Sequence, residues 1–399
     1  MLSLRVQFCL LIAVAVIAIG APAQAAARLP GTPVPKDLVG VNIGGPLLSD
    51  NVNLDQQFDA IVASGVQTIR VAFNWAQAQP YPTPADVPPD QQADYVDVGG
   101  VPTSFAVTDQ VVGAAAARGL TVLPTVLFAP GWDAGRNRRG GLAPPAHLTQ
   151  YGNYLRALIG RYGPHGTFWQ GHHPRRPIRA WQIWNEPNLW DFWPQPFASS
   201  YVKLLRVAHA AVKGADPGAK VVLGAITNTA WKYLGQIYRI RGAKKLFDVI
   251  AVNGFTSTPS REILFLRLVR RAVNGLGDPR KPLLATEISW PSAAGKPVIH
   301  HDWDTTDRGQ ARNISLLLPM LAAERVPLRL AGFYYFTWVS QDNVPARDDF
   351  SYAGLLRYLP STGEIIAKPA LAAFRNAALR LERCRRKGFQ ATQCVKRLG

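Results

Sequence analysis

The feature that most constrains this chain is a recurrence. Eight short apolar, β-rich segments lie along it, at residues 38–44, 66–73, 120–128, 179–186, 220–226, 247–255, 282–289 and 330–338, and stretches of helical period follow most of them. The helical stretches cover residues 54–64, 107–119, 148–163, 198–216, 260–277 and 307–324, and several end at Gly or run into Pro, the residues that stop a helix. Most of the strand segments are continuously apolar rather than alternating, as parallel strands buried on both faces require. Alternation of this kind fits either a closed (β/α)8 barrel or a doubly wound open sheet. Eight units, with no Gly-x-Gly-x-x-Gly after the first strand, favour an α/β protein of the TIM-barrel architecture. The 399 residues could hold two average domains, but such barrels reach this length as one, and residues 38–378 are read as a single catalytic barrel.

The flanks are of different character. Residues 1–27 carry Arg5 near their start, an apolar run over 8–19 and small residues from Ala21 to Ala27, the pattern of a cleaved secretory signal. A retained membrane anchor is the weaker reading, because the run is short for a bilayer, so no stable membrane insertion is expected after cleavage. Residues 28–37 form a Pro-rich lead-in. Of the three cysteines, Cys9 leaves with the signal, and Cys384 and Cys394 remain in a basic C-terminal tail, residues 379–399. In an oxidising compartment their simplest state is a disulfide. No Cys or His spacing suggests zinc, and neither a metal nor a cofactor is expected.

The formal net charge of +18, from 44 Lys and Arg against 26 Asp and Glu, invites a nucleic-acid reading. Against it, the basic residues are scattered in short groups such as 136–139 and 383–387, with no binding module around them. An exported basic protein is equally explained by attraction to anionic surface polymers or an acidic glycan, and a generic solvated surface is the plainest account.

In a barrel of this kind the chemistry sits where the strands end. The fourth segment ends in Asn185-Glu186, the seventh contains Glu287, the second Arg70, the sixth ends in Asn253 and Phe255, and the eighth in Trp338. Two carboxylates from strands four and seven would face each other across the mouth. Glycosidic hydrolysis needs one carboxylic acid to protonate the leaving oxygen and one carboxylate to attack the anomeric carbon or activate water. The apolar neighbours Trp181, Trp184 and Pro187 would raise the pKa of Glu186, while Arg70 would keep Glu287 ionised. Taken singly, Glu186 could be a surface or capping residue and Glu287 a buried carboxyl bonded to Thr286 or Ser289. Taken together at one rim with an arginine, they are hard to explain by packing. Sugars present flat C–H faces, so Trp75, Trp132, Trp190, Trp193, Trp290 and Trp338 are candidate platforms, each with a core role as the plainer reading.

At Trp181-Gln-Ile-Trp-Asn-Glu-Pro-Asn188 and at Leu283-Leu-Ala-Thr-Glu-Ile-Ser-Trp290 the chain resembles the clan A retaining glycoside hydrolases, the superfamily that contains families 5 and 39. The resemblance runs from about residue 38 to about residue 374, and the family 39 type is nearest. It implies Glu186 as acid/base, Glu287 as nucleophile, Asn185 as donor to a sugar 2-hydroxyl, Arg70 as partner of the nucleophile and Trp338 as floor of the sugar subsite. It also implies a β-linked oligo- or polysaccharide as partner. One departure stands out: where the clan has His-x-Tyr after strand six, this chain has Asn253 and Phe255, so a hydrogen bond to the nucleophile is missing unless Thr256, Thr258 or Tyr334 supplies it. The rival to a secreted hydrolase is therefore a catalytically impaired, glycan-binding barrel at the cell surface. There is no Gly-x-Ser-x-Gly for serine chemistry, and the pairs His172-His173 and His300-His301 read as solvated, with the second able to line a subsite. Cleft depth is expected to follow the long loops after strands two, three and seven, chiefly residues 76–100.

Overall fold

The computed structural model describes residues 34–171, 174–342 and 348–386. Eight parallel strands form the centre: β1 (Val39–Ile43), β2 (Thr68–Asn74), β3 (Thr121–Leu127), β4 (Ala180–Asn185), β5 (Lys220–Ala225), β6 (Ile250–Gly254), β7 (Leu283–Ile288) and β8 (Leu330–Tyr335). Each pairs with its sequence neighbours, and β1 pairs with β8 through Val39↔Phe333. The ring closes between β5 and β6 by single bridges, Val222↔Val249 and Ile226↔Val252, where Leu223 N–H donates to Val249 O at 2.9 Å. Strand–helix alternation thus yields the (β/α)8 barrel rather than the open sheet.

The helices on the outside are α1 (Leu54–Ala63), α2 (Ala106–Ala117), α3 (Leu148–Tyr162), α4 (Ala198–Ala215), α5 (Ala230–Tyr238), α6 (Pro259–Gly275), α7 (Asp307–Leu328) and α8 (Pro369–Arg386). Asn53, Thr258 and Thr306 start α1, α6 and α7 by accepting a backbone N–H of the first turn on the side chain. Position 378, read as the end of the barrel, falls inside α8, which runs on to Arg386. Residues 1–27, read as a signal, His172, His173 and Cys394 lie outside the described residues, so the expected Cys384–Cys394 bond does too.

The core has two parts. The larger lies between sheet and helices; the smaller fills the barrel itself with Leu123, Val222, Ala225, Val249, Ala251 and Tyr334. Gly40 of β1 makes room for the Tyr334 ring, since a Cβ there would stand 2.5 Å from Tyr334 Cδ1. Above this apolar plug the barrel interior turns polar, which is what positions the site.

Candidate active site

Asn42, Arg70, Gln182 and Thr286 are polar residues inside otherwise apolar strands, and all four are buried. They form one network. Arg70 Nη1 donates to Glu287 Oε1 at 2.8 Å and to Asn42 Oδ1 at 2.7 Å, its Nε donates to Gln182 Oε1 at 2.9 Å, and its Nη2 donates to Asn185 Oδ1 at 2.8 Å. A planar guanidinium with five fixed donors suits four partners arriving from three strands, as an ammonium would not. Asn42 Nδ2 in turn donates to Thr286 O at 2.8 Å, tying β1 to β7 just before the carboxylate.

Glu186 directly follows β4 and Glu287 is the penultimate residue of β7, with 7% and 8% of their surfaces exposed. Their surroundings differ. Arg70 bonds Glu287, while Glu186 Oε1 accepts from Asn253 Nδ2 at 2.7 Å; Asn253 Oδ1 is fixed by Thr286 Oγ1 at 2.8 Å. Burial pushes the Glu186 carboxyl well above the usual range, and the charge of Glu287 adds to this; Asn253 and Arg70 oppose it more weakly. Burial also raises Glu287, but Arg70 opposes that through both its charge and its hydrogen bond. The proton shared by such a pair therefore resides on Glu186, and the negative charge on Glu287. Glu186 sits at φ 43° and Trp184 at φ 67°, a left-handed backbone uncommon outside glycine and held here by Glu186 N–H donating to Ala225 O at 2.9 Å.

The two carboxylates open into a cleft of about 1030 Å³. Its walls come chiefly from the segments after β1 (Gly44, Gly45, Pro46), β4 (Leu189, Asp191, Phe192), β7 (Ile299, His301, Trp303) and β8 (Phe336, Thr337, Val339, Ser340 and Gln341, then Asp348, Phe350 and Ser351), with Phe128 after β3, Thr227 and Asn228 after β5 and Phe255 after β6. The 76–100 loop does not reach it: that loop is a short helix, two 3-10 turns and a hairpin pairing Val96–Val98 with Val101–Thr103, packed to the side of the barrel. Of the three loops expected to shape the cleft, the one after β7 lines it, the one after β3 contributes Phe128, and the one after β2 does not take part, while the segments after β1, β4 and β8 do. Among the described residues lining the cleft, Arg70 is the one lysine or arginine, against Glu186, Glu287, Asp191 and Asp348. Among the described residues, the positive excess therefore lies away from the cleft.

The predicted platforms divide. Phe255 lines the cleft and packs against Phe350 (ring centroids 4.9 Å), Trp303 (5.7 Å) and Phe336 (6.4 Å). His301 stacks on Trp303 at 4.6 Å and is held by Asp349 through its Nδ1 at 2.7 Å. Trp338, expected as the subsite floor, is fully buried behind the rim with its Nε1 donating to Gln57 Oε1 at 3.1 Å. Phe336, two residues earlier and immediately after β8, is the aromatic that faces the cleft. Trp75 and Trp290 are likewise buried, bonded to Gln79 and to Thr256 O. Trp132 is half-buried, edge-on to Trp75, with its Nε1 donating to Gln79 O at 2.8 Å. The tryptophans beside Glu186 are scaffold too: Trp184 meets Trp193 edge-on at 5.3 Å, and Trp193 meets Tyr201 of α4 at 5.7 Å. Trp190 is partly exposed under Arg139, 4.4 Å from its ring centroid.

None of the three hydroxyls considered for the missing bond to Glu287 takes that part. Tyr334 Oη pairs with Thr68 Oγ1 at 3.1 Å, Thr256 Oγ1 donates to Thr258 O at 3.0 Å, and Thr258 caps α6. Asn253, at the place of the histidine in the clan pattern, donates to Glu186 at 2.7 Å and also helps to hold the Glu287 pKa down. Among the described residues no group of three or more His, Cys, Asp or Glu side chains gathers to hold a metal ion, and no helix is long and apolar enough to cross a membrane.

No protein-family model matches the chain. A stretch of 118 residues is 30% identical to a β-xylosidase of Caldicellulosiruptor saccharolyticus, covering 28% of this chain and 22% of that one. A stretch of 126 residues is 25% identical to a β-xylosidase of Geobacillus stearothermophilus, covering 30% and 23%. The matched stretches thus span less than a quarter of those relatives. Among solved structures, a monomeric β-xylosidase from Caulobacter crescentus CB15 superposes with a TM-score of 0.60 at 19% identity, over 87% of this chain and 69% of that chain. The family 39 enzyme of Xanthomonas axonopodis pv. citri gives the same TM-score and identity, over 87% and 67%. The fold is shared with these (β/α)8-barrel glycoside hydrolases.

Proposed function

We propose that this chain is a retaining glycosidase that cleaves an O-glycosidic bond, of β configuration, by double displacement between Glu186 and Glu287. The observation that carries the reading is the unequal environment of two buried glutamates on one barrel rim, one bonded to Arg70 and the other to Asn253. Short matches to two β-xylosidases support it, as does the likeness in fold to glycoside hydrolases of clan A.

The protonated Glu186 would donate its proton to the glycosidic oxygen while the carboxylate of Glu287 attacks the anomeric carbon; the aglycone leaves as an alcohol and the sugar remains as an ester on Glu287. Glu186, now ionised, takes a proton from water as that water's oxygen attacks the same carbon, which releases Glu287 and restores the starting configuration. With its Oδ1 held by Arg70, Asn185 has its amide Nδ2 to offer a sugar hydroxyl. The pattern of residues 1–27 supports export, and N-terminal sequencing of protein recovered from culture medium would test that.

Hydrolysis of a panel of aryl β-glycosides by the native chain, Glu186→Gln and Glu287→Gln tests the activity. Loss of the acid should lower kcat by about 10²–10⁴ on substrates with poor leaving groups, and loss of the nucleophile should abolish turnover. A chain that binds a glycan yet cleaves nothing would instead favour the glycan-binding barrel, which the phenylalanine at position 255 makes the standing alternative.

A further inference from the structure

We infer that the leaving-group side of this site is built for an apolar aglycone, an alkyl or aryl group rather than a second sugar, seated in a recess that adjoins the cleft on the side of the acid. The inference rests on the glycosidase reading of the same site. The recess, of about 400 Å³, lies between the segments that follow β5 and β6. It adjoins the main cleft, since Asn228 and Phe255 line both.

Its position relative to the chemistry follows from one residue. Asn253 lines the recess and donates to Glu186 Oε1 at 2.7 Å. The proton of Glu186 goes to the glycosidic oxygen, so whatever is attached to the far side of that oxygen begins within a side chain's length of the recess. That group is the aglycone.

Its lining decides the chemistry. Trp231 of α5 and Leu264, Phe265 and Leu268 of α6 make the wall, with Trp231 edge-on to Phe265 at 6.1 Å. Leu264 is 54% exposed, although it lies on a helix whose neighbouring residues Ile263 and Leu266 are buried in the core. Of the polar groups that line it, the Asn253 amide is engaged by Glu186 and Thr286, the Thr256 hydroxyl by Thr258 O, and Arg261 Nη1 by Ser257 Oγ at 3.2 Å, which leaves Asn228, Thr229 and the rest of the Arg261 guanidinium beside a mainly apolar wall. A sugar ring in such a place would lose water from several hydroxyls with few partners in return, whereas an apolar group would only gain by leaving water. Phe255 extends the same surface into the ring cluster of Phe336, Phe350 and Trp303.

The test compares n-octyl with methyl β-xylosides and β-glucosides. It measures kcat/KM on the native chain and binding by calorimetry to Glu186→Gln, which needs no turnover. The account expects the octyl compound to be preferred by about tenfold or more, the equivalent of roughly two methylenes moved out of water, with the gain in KM and in affinity. Leu264→Lys and Trp231→Ala should each pull the octyl-to-methyl ratio towards unity. Leu316→Lys, which removes an exposed leucine of α7, should leave that ratio as it is. Equal cleavage and equal binding of octyl and methyl compounds would overturn the inference, and so would a Leu316→Lys effect as large as that of Leu264→Lys, which would mean adsorption to any apolar surface. Preferential octyl binding without cleavage of any glycoside would leave the recess standing and bring down the glycosidase reading instead.

Discussion

At the scale of the residue, the site is an argument about where one proton and one charge reside. Asn253 holds the pKa of Glu186 down by donating to its ionised form, against burial and the charge of Glu287. Asn253→Ala should therefore raise it, and the alkaline limb of kcat/KM against pH should move upward; an unmoved limb would show that Asn253 only packs. Arg70 does the same for Glu287, holding it down against burial through its charge and its hydrogen bond. Replacing it by Met leaves a buried carboxylate without its partner, so stability should fall by about 3–5 kcal/mol in urea unfolding at neutral pH, and the acid limb of any remaining activity should shift to higher pH. Glu186, Glu287, Asn185 and Asn253 are legible in the sequence because polar residues at the ends of apolar strands have few structural excuses, and Arg70 because it puts a charge inside one. Asn42, Gln182 and Thr286 gave the same signal from inside the strands and were passed over for want of a charge. Trp338 misled because distance along the chain from a strand end does not say which way a ring turns; Phe336, in the first position after β8, faces the cleft and Trp338 turns into the core behind it.

At the scale of the element, the eight strands could be found because parallel barrel strands are apolar on both faces and long helices keep their period. The two helices that escaped did so for local reasons. α5 has only nine residues, too few to establish a period, and α8 follows a hairpin of Leu356–Leu359 with Glu364–Ala367 and becomes basic in its last turn, so it reads as a tail. Loop lengths misdirected the account of the cleft, since the Pro-rich loop after β2 builds its own hairpin instead of a wall. Inside the barrel, packing is tight enough to test. A Cβ on Gly40 would lie 2.5 and 2.8 Å from the Tyr334 ring and 2.9 Å from Thr68 Cγ2. Gly40→Ala should thus lose about 1–3 kcal/mol to overpacking, and adding Tyr334→Leu should recover part of it. An unchanged unfolding midpoint in Gly40→Ala would contradict this packing.

At the scale of the whole molecule, the barrel carries buried acids that bind its stability to pH. Glu262 of α6 is fully buried and its pKa is raised by that burial from 4.5 to about 8. Because the folded state then holds a proton that the unfolded state releases, this contribution is complete below about pH 4.5 and is lost as pH rises through about 8. Glu262→Gln should flatten the stability profile across that window, where one such group sets a slope of up to about 1.4 kcal/mol per pH unit; the check is urea unfolding of both forms at a series of pH values. Glu186 titrates in the same direction and should leave a residual slope in that variant. The proposed double displacement requires a covalent bond to form at Glu287. The most direct measurement is mass spectrometry of the protein after reaction with 2-deoxy-2-fluoro β-glycosides bearing a good leaving group, which slow the second displacement and so accumulate the intermediate. The account predicts a single added sugar on the peptide that contains Leu283–Ile288, absent in Glu287→Gln. Turnover of the parent glycosides with an inverted product and no adduct, or an adduct on any other residue, would contradict it.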